Sequence, residues 1–281
     1  MPIHGFRNFG SFGSNDGLYI QSPGNSALEL KQLFGYNTNG IYYINLNGVS
    51  TPVFCIMDSA YNGGGWMMMM KATTGTTFNY SSSYWTSNNT LNATDTTQNN
   101  ADAKFDVMNY FPAKDMMARW PDIGSGGSIA GLGSWIWLEN EFNGPSTTIP
   151  ITFFSTVGAA SGMAFNFGGR GLFKRDAKTF GGWAAGTFSS QPDIRFYGFN
   201  YENYPNPSYP TQGKVRWGFG WNENAEGLYP SSDVAPKGSN DVSGGIGMDA
   251  TFGSFSAGDK VNCCQDQSGI NRSARVEVYV R

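Results

Sequence analysis

Sugar and cation binding both call for amides and carboxylates grouped beside flat aromatic faces, and one stretch of the sequence supplies them together. Trp221 is followed by Asn222, Glu223, Asn224 and Glu226, then Tyr229, and a glycine-laced loop adds Asp233, Asn240, Asp241 and Asp249. Sugar hydroxyls pair with amides and carboxylates while their C–H faces lie on aromatic rings. The expected ligand-binding set is therefore Trp221, Asn222, Glu223, Asn224 and Tyr229. Calcium takes roughly six to eight oxygens from carboxylates, amides and carbonyls. Glu223, Glu226, Asp233, Asp241 and Asp249 are the residues that could supply them, which makes calcium the one cofactor suggested. Their spacing matches no EF-hand, whose ligands fall at fixed positions around a central glycine. The plainer alternative is a solvated loop with Trp221 in the core.

Catalysis finds little material. The chain has a single histidine, His4, and neither a His-Glu-x-x-His nor a Gly-x-Ser-x-Gly motif, so no zinc hydrolase or nucleophile-elbow chemistry is signalled. Gly168-Gly169-Arg170-Gly171 lacks the Gly-Lys-Ser/Thr ending of a phosphate loop. Cys263 and Cys264 have no histidine nearby to generate a thiolate. A protein that is not an enzyme is the expectation.

The elements that must hold such a loop are legible from composition and pattern. Of 281 residues 40% are hydrophobic, 15% aromatic and only 14% charged, with 38 glycines. That mixture argues against a helical bundle and for a loop-rich body with an aromatic core. A net charge of −3 gives no basic footprint for nucleic acid. No apolar run approaches the roughly 20 residues of a membrane helix. The opening Met1-Pro2-Ile3-His4-Gly5-Phe6 lacks the basic and apolar regions of a secretory signal. That fits a processed chain, another export route, or a particle released by lysis. The three cysteines, Cys55, Cys263 and Cys264, make no disulfide framework. A bridge from Cys55 to one of the pair and three free buried thiols both stay open.

Along the chain, residues 1–25 read as an extended arm rich in Gly, Ser, Asn and Phe. Ser26 caps a helix over residues 27–33, with Glu29 placed for a capping box and Gly35 as the stop. Residues 40–46 alternate as a strand before an Asn47-Gly48 turn. Val53 to Asp58 and Trp66 to Met70 form two more strands around Gly63-Gly64-Gly65. Residues 71–100 read as a surface excursion pinned by Phe78, Tyr80, Tyr84 and Trp85. Residues 101–110 and 112–120 read as short helices. Strands are expected at 134–138, 149–154, 193–201 and 216–221. The last strand, 274–281, sets Val276, Val278 and Val280 against Arg275, Glu277 and Tyr279, which predicts one buried and one wet face.

Gly40-Ile41-Tyr42-Tyr43-Ile44, then Phe54-Cys55-Ile56-Met57-Asp58, then Gly63-Gly64-Gly65-Trp66 resembles the amino-terminal signature of fibrinogen-related domains. The ending Arg275-Val276-Glu277-Val278-Tyr279-Val280-Arg281 looks like the close of the intelectin branch. The resemblance brackets residues 26–281. It implies an α+β fold: a single fibrinogen-related domain with short strands, few short helices and long ordered loops. The segments 115–118, 193–200 and 216–224 are also similar to structural proteins of tailed phages that infect cyanobacteria. Animal members of the family carry more cysteines, and the intelectin calcium site uses a histidine near the carboxy terminus. This sequence offers only His4, so that site does not transfer residue by residue.

The two resemblances together imply a non-enzymatic virion surface protein of a bacteriophage, on a tail, a fibre or the capsid. It would be made in the host cytoplasm and extracellular after release, and would adhere to host cell-surface glycan. The alternative is a capsid decoration or tail-attached subunit making protein contacts only. The expected partners are host glycan and, through residues 1–25, other virion proteins, with no nucleic acid, no membrane insertion, and assembly as a homo-oligomer.

Overall fold

Ser26 opens the first helix, α1 (Ala27–Phe34): its Oγ accepts the Glu29 backbone N–H at 3.1 Å, and Gly35 closes the helix in the left-handed region. The Glu29 carboxylate accepts from the Asn25 side chain rather than from the Ser26 backbone, so only half of the capping box forms. The computed structural model describes residues 15–111, 115–121, 134–138, 173–175, 194–202, 214–221, 242–250, 253–258 and 275–281. These residues are α+β, with short helices and mostly antiparallel strands. They fall into two compact units, Met1–Met67 and Met68–Arg281. Among them, no helix is long and apolar enough to cross a membrane.

In the first unit, β1 (Gly40–Leu46) and β2 (Val49–Ile56) form a hairpin. Asn47 and Gly48 both have positive φ, the backbone a tight turn between twisted strands requires. Cys55 and Ile56 then pair with Met67 and Trp66 at the start of β3 (Trp66–Thr73). The loop before β3 needs glycine for space as well as torsion. A Cβ on Gly64 would sit 2.5 Å from the Met57 carbonyl oxygen, and one on Gly65 would sit 2.7 Å from the Leu28 Cα. Trp66 is fully buried, its indole N–H donating to the Tyr61 carbonyl at 2.7 Å. Cys55 is a free, buried thiol, and Cys263 and Cys264 lie outside the described residues. The described part of the N-terminal stretch lies along β1: Tyr43 donates to the Gly17 carbonyl, and Gly24 bridges Ile44 in parallel.

In the second unit, a 3-10 turn (Ser83–Trp85), β4 (Ala103–Lys104), α2 (Asp106–Tyr110), β5 (Met116–Trp120), β6 (Ser134–Leu138) and β7 (Phe173–Arg175) follow β3. After them come β8 (Ile194–Glu202), β9 (Lys214–Trp221), β10 (Val242–Ala250), β11 (Gly253–Gly258) and β12 (Arg275–Val280). One sheet runs β3-β12-β5-β6-β7, with β4 also paired to β3; the other runs β11-β10-β9-β8. The core holds Met68, Met69, Met70, Val107, Met116, Met117, Val276, Val278 and Val280. Phe78, Tyr80 and Trp85 are buried, as the reading of 71–100 expected.

Four expectations need correction. Residues 116–120 are a strand, because Met116, Met117 and Ala118 pair with β12 on one side and β6 on the other. Tertiary pairing overrides their helical propensity. Within 101–110, only Asp106–Tyr110 is helical, because Ala103 and Lys104 pair with β3. Residues 242–250 are the strand β10 and not part of a glycine-laced loop, so Asp249 is a strand residue. Finally, β12 has no wet face: Glu277 and Tyr279 are as fully buried as the valines. The expected strand at 149–154 lies outside the described residues.

Candidate functional site

Strands β9 and β10 frame the predicted binding loop. Trp221 ends β9, pairing with Val242 at the start of β10 and with Ile194 of β8. Asn222, Glu223, Asn224, Glu226, Tyr229, Asp233, Asn240 and Asp241 lie outside the described residues. Asp249 sits at the far end of the hairpin, paired with Lys214 and with Ser254 of β11. At about 3.3 Å per residue, seven steps of strand put it roughly 23 Å from the Trp221 end. Among the described residues, no three His, Cys, Asp or Glu side chains gather as a metal site.

The hairpin is held by a buried anchor. Arg216 of β9 is 3% exposed. Its Nε donates to the Tyr80 carbonyl at 2.7 Å, and its guanidinium carbon lies 4.2 Å from the Tyr80 ring centroid. Gly247 on β10 has φ 68, and a Cβ there would meet Trp85 Cζ2 at 2.8 Å and Arg216 Cγ at 2.9 Å. Glycine therefore lets β10 close over the anchor. Ser256 on β11 completes the attachment, accepting the Phe78 N–H at 2.7 Å and donating its own N–H to Gly75. The Trp85 indole donates to the Asn79 carbonyl at 2.7 Å, fixing the excursion from within.

Two ionic clusters, which sequence reasoning missed, lie elsewhere in this unit. Glu277 is fully buried on β12. It accepts from Arg119 at 3.1 Å, from Arg275 at 2.9 Å, from the Tyr279 hydroxyl at 2.7 Å and from Gln98 at 3.1 Å. Burial raises the Tyr279 phenol well above its ordinary range, and the Glu277 charge adds to that. Lys71 on β3 is also fully buried. Its Nζ donates to Asp95 Oδ2 at 2.9 Å, the Thr97 carbonyl at 2.8 Å and Asn99 Oδ1 at 2.5 Å. Hydrogen bonds from Thr97, then Lys71 and Asn99, hold the Asp95 carboxyl below the usual carboxylate range.

A third buried cation, Lys104 on β4, donates to the Tyr84 and Ser87 carbonyls at 2.7 and 2.5 Å. Burial pushes its amine down to about 8, with Asp106 acting in the opposite direction. Lys71 gave no signal of burial in the sequence, because a lysine ending the apolar run Trp66–Met70 is also the mark of a strand leaving the core for solvent. Glu277 gave none, because valine–polar alternation is also the mark of a half-exposed strand.

No protein-family model matches the sequence, and comparison with curated proteins returns no significant match.

Proposed function

We propose that this chain is a non-enzymatic, fibrinogen-related virion surface protein that adheres to host-cell glycan through the loop between β9 and β10. The observation that carries the reading is the anchored hairpin. Trp221 ends a strand fastened by Arg216, Gly247 and Ser256, a rigid mount for the amide- and carboxylate-rich residues 222–241. The family part rests on the signature residues, whose physical roles are visible: Gly63, Gly64 and Gly65 all have positive φ, and Trp66 is a buried anchor behind them. The test is binding of the full chain to a glycan array, with and without calcium, beside Trp221→Ala. Binding lost in a variant of unchanged melting temperature supports the reading; equal binding by both removes this loop as the site. If calcium belongs to it, EDTA lowers the melting temperature, because a ligand held only by the folded state stabilises it.

The second reading, a decoration or tail-attached subunit making protein contacts only, is favoured by the apolar surface of the first unit. Leu18, Tyr19, Ile20, Leu33, Ile41 and Val49 are each about half exposed or more. The glycan array separates the two readings, since a subunit making protein contacts only leaves every glycan on the array unbound, with or without calcium.

A further inference from the structure

Lys71, Asp95 and Asn99 form a closed triangle. The Lys71 amine touches the Asn99 carboxamide oxygen at 2.5 Å and the Asp95 carboxylate at 2.9 Å, and the Asn99 amide nitrogen donates to that same Asp95 oxygen at 3.0 Å. With a C=O bond of about 1.23 Å, the Asn99 Cγ lies within about 3.7 Å of the Lys71 nitrogen. A nucleophilic amine, an electrophilic carboxamide and a carboxyl group able to move protons between them are thus in mutual contact.

The surroundings hold the triangle in place. Lys71 has no exposed side-chain surface, while the Asp95 side chain is 29% exposed, which leaves a path for a small leaving group. The Thr97 carbonyl fixes the amine from a third direction at 2.8 Å. Thr97 also donates its hydroxyl to Asp95 Oδ1, and the neighbouring Gln98 side chain is tied to Glu277 and Tyr279 on β12. The loop carrying Asp95 and Asn99 is therefore fastened at both the carboxylate and the strand behind it. Preorganisation of this kind gives an otherwise slow amide exchange a very high effective concentration.

We infer that Lys71 and Asn99 form an intramolecular amide cross-link, with Asp95 as the proton-transfer group. The Lys71 ammonium passes a proton to the Asp95 carboxylate across their 2.9 Å contact. The hydrogen bonds that favour the charged carboxylate oppose this step, so the cross-link forms slowly during the life of the folded chain. Rotation of the Lys71 side chain and the Asn99 carboxamide carries the freed amine from Oδ1 to the face of Asn99 Cγ, and a C–N bond forms. Asp95 returns its proton to Asn99 Nδ2 and takes one from the attacking nitrogen, and the Cγ–Nδ2 bond breaks. Ammonia leaves, collects the proton now on Asp95 and departs as ammonium. One ammonium and one primary amide become one secondary amide and one free ammonium; nothing is oxidised or reduced, and no co-reactant is needed. The cross-link would bind β3 covalently to the excursion that packs against the β9–β10 hairpin, a mechanical reinforcement independent of what that hairpin binds.

Intact mass of the purified full chain tests this directly. The cross-linked chain is lighter than its sequence mass by one ammonia. Lys71 is the sole trypsin site between residues 32 and 104, so the cross-linked chain gives one joined peptide over that span, with no fragment ions from inside the closed loop. Asp95→Ala and Asn99→Ala each restore the full mass and cleavage after Lys71. A parent chain of full sequence mass overturns the inference even if both variants fail to fold. So does ammonia loss with Lys71 still cleaved, which would mark a succinimide at Asn99. A link that persists in Asp95→Ala overturns the role given to Asp95.

Discussion

Glu277 and Tyr279 stand two residues apart on β12, and the Tyr279 hydroxyl donates to Glu277 Oε2 at 2.7 Å with both side chains fully buried. Arg119 on β5 and Arg275 on β12 supply the counter-charge, so a fully buried carboxylate lies between two arginines that each keep a little surface in solvent. Glu277→Gln leaves two arginines without their carboxylate and is expected to lower unfolding free energy by about 3–5 kcal/mol. Tyr279→Phe removes one hydrogen bond to a charged acceptor and should cost about 1.5–3 kcal/mol. Denaturant melts of both and of the double variant measure this; simple additivity would show that the two groups do not act together.

Arg216 anchors the hairpin through the Tyr80 carbonyl and ring. Arg216→Ala removes a charged hydrogen bond and a desolvated cation–π contact, and is expected to destabilise by roughly 2–4 kcal/mol. Arg216→Lys keeps the charge but not the planar guanidinium on the ring, and should recover only part of the loss. Chemical denaturation of the three proteins decides; a lysine variant as stable as the parent would show that charge alone matters.

Gly65 and Gly48 share nearly the same backbone, with φ of 80 and 84, but not the same surroundings. A Cβ on Gly65 meets the backbone of Leu28 at 2.7 Å, whereas one on Gly48 meets nothing within 4 Å. Gly48→Ala should therefore cost only the left-handed backbone penalty, about 1–2 kcal/mol. Gly65→Ala should cost more, because helix α1 must shift away. Equal melting temperatures for the two variants would contradict the packing argument.

Lys104 gives the fold a pH dependence of definite sign. Its folded value, about 8, lies below the ordinary lysine value of about 10.4. Below the folded value the amine is charged in both states, and its burial works against the fold. Between the two values the unfolded chain keeps a proton that the folded chain has released, so this residue's contribution rises with pH across that window. The stability of the parent minus that of Lys104→Met should climb between about pH 8 and 10. Parallel curves would show that the amine keeps its proton in the fold.

Local rules carried much of the first unit. A serine cap, an Asn-Gly turn and three glycines before a tryptophan each specify backbone geometry within a few residues, and each forms where the spacing predicts. Pattern alone misjudged residues 116–120 and 242–250. Methionine and alanine favour helix and glycine favours loop until a partner strand supplies hydrogen bonds, and only the fold supplies the partner. The sequence of Trp221 to Asp249 names plausible sugar and cation ligands by type, and the fold adds that Asp249 is mounted on a strand away from Trp221.

By itself, then, the sequence determined the turns, the caps, the mixture of short strands and helices and the residue types available for binding, because these follow from torsional freedom and from chemistry within reach of neighbouring residues. The tertiary structure alone decided that Lys71, Lys104, Arg216 and Glu277 are buried, and which groups surround them. A buried charge survives only where partners converge, and the partners of Glu277 come from positions as far apart as Gln98, Arg119 and Arg275. No periodicity along the chain encodes that convergence.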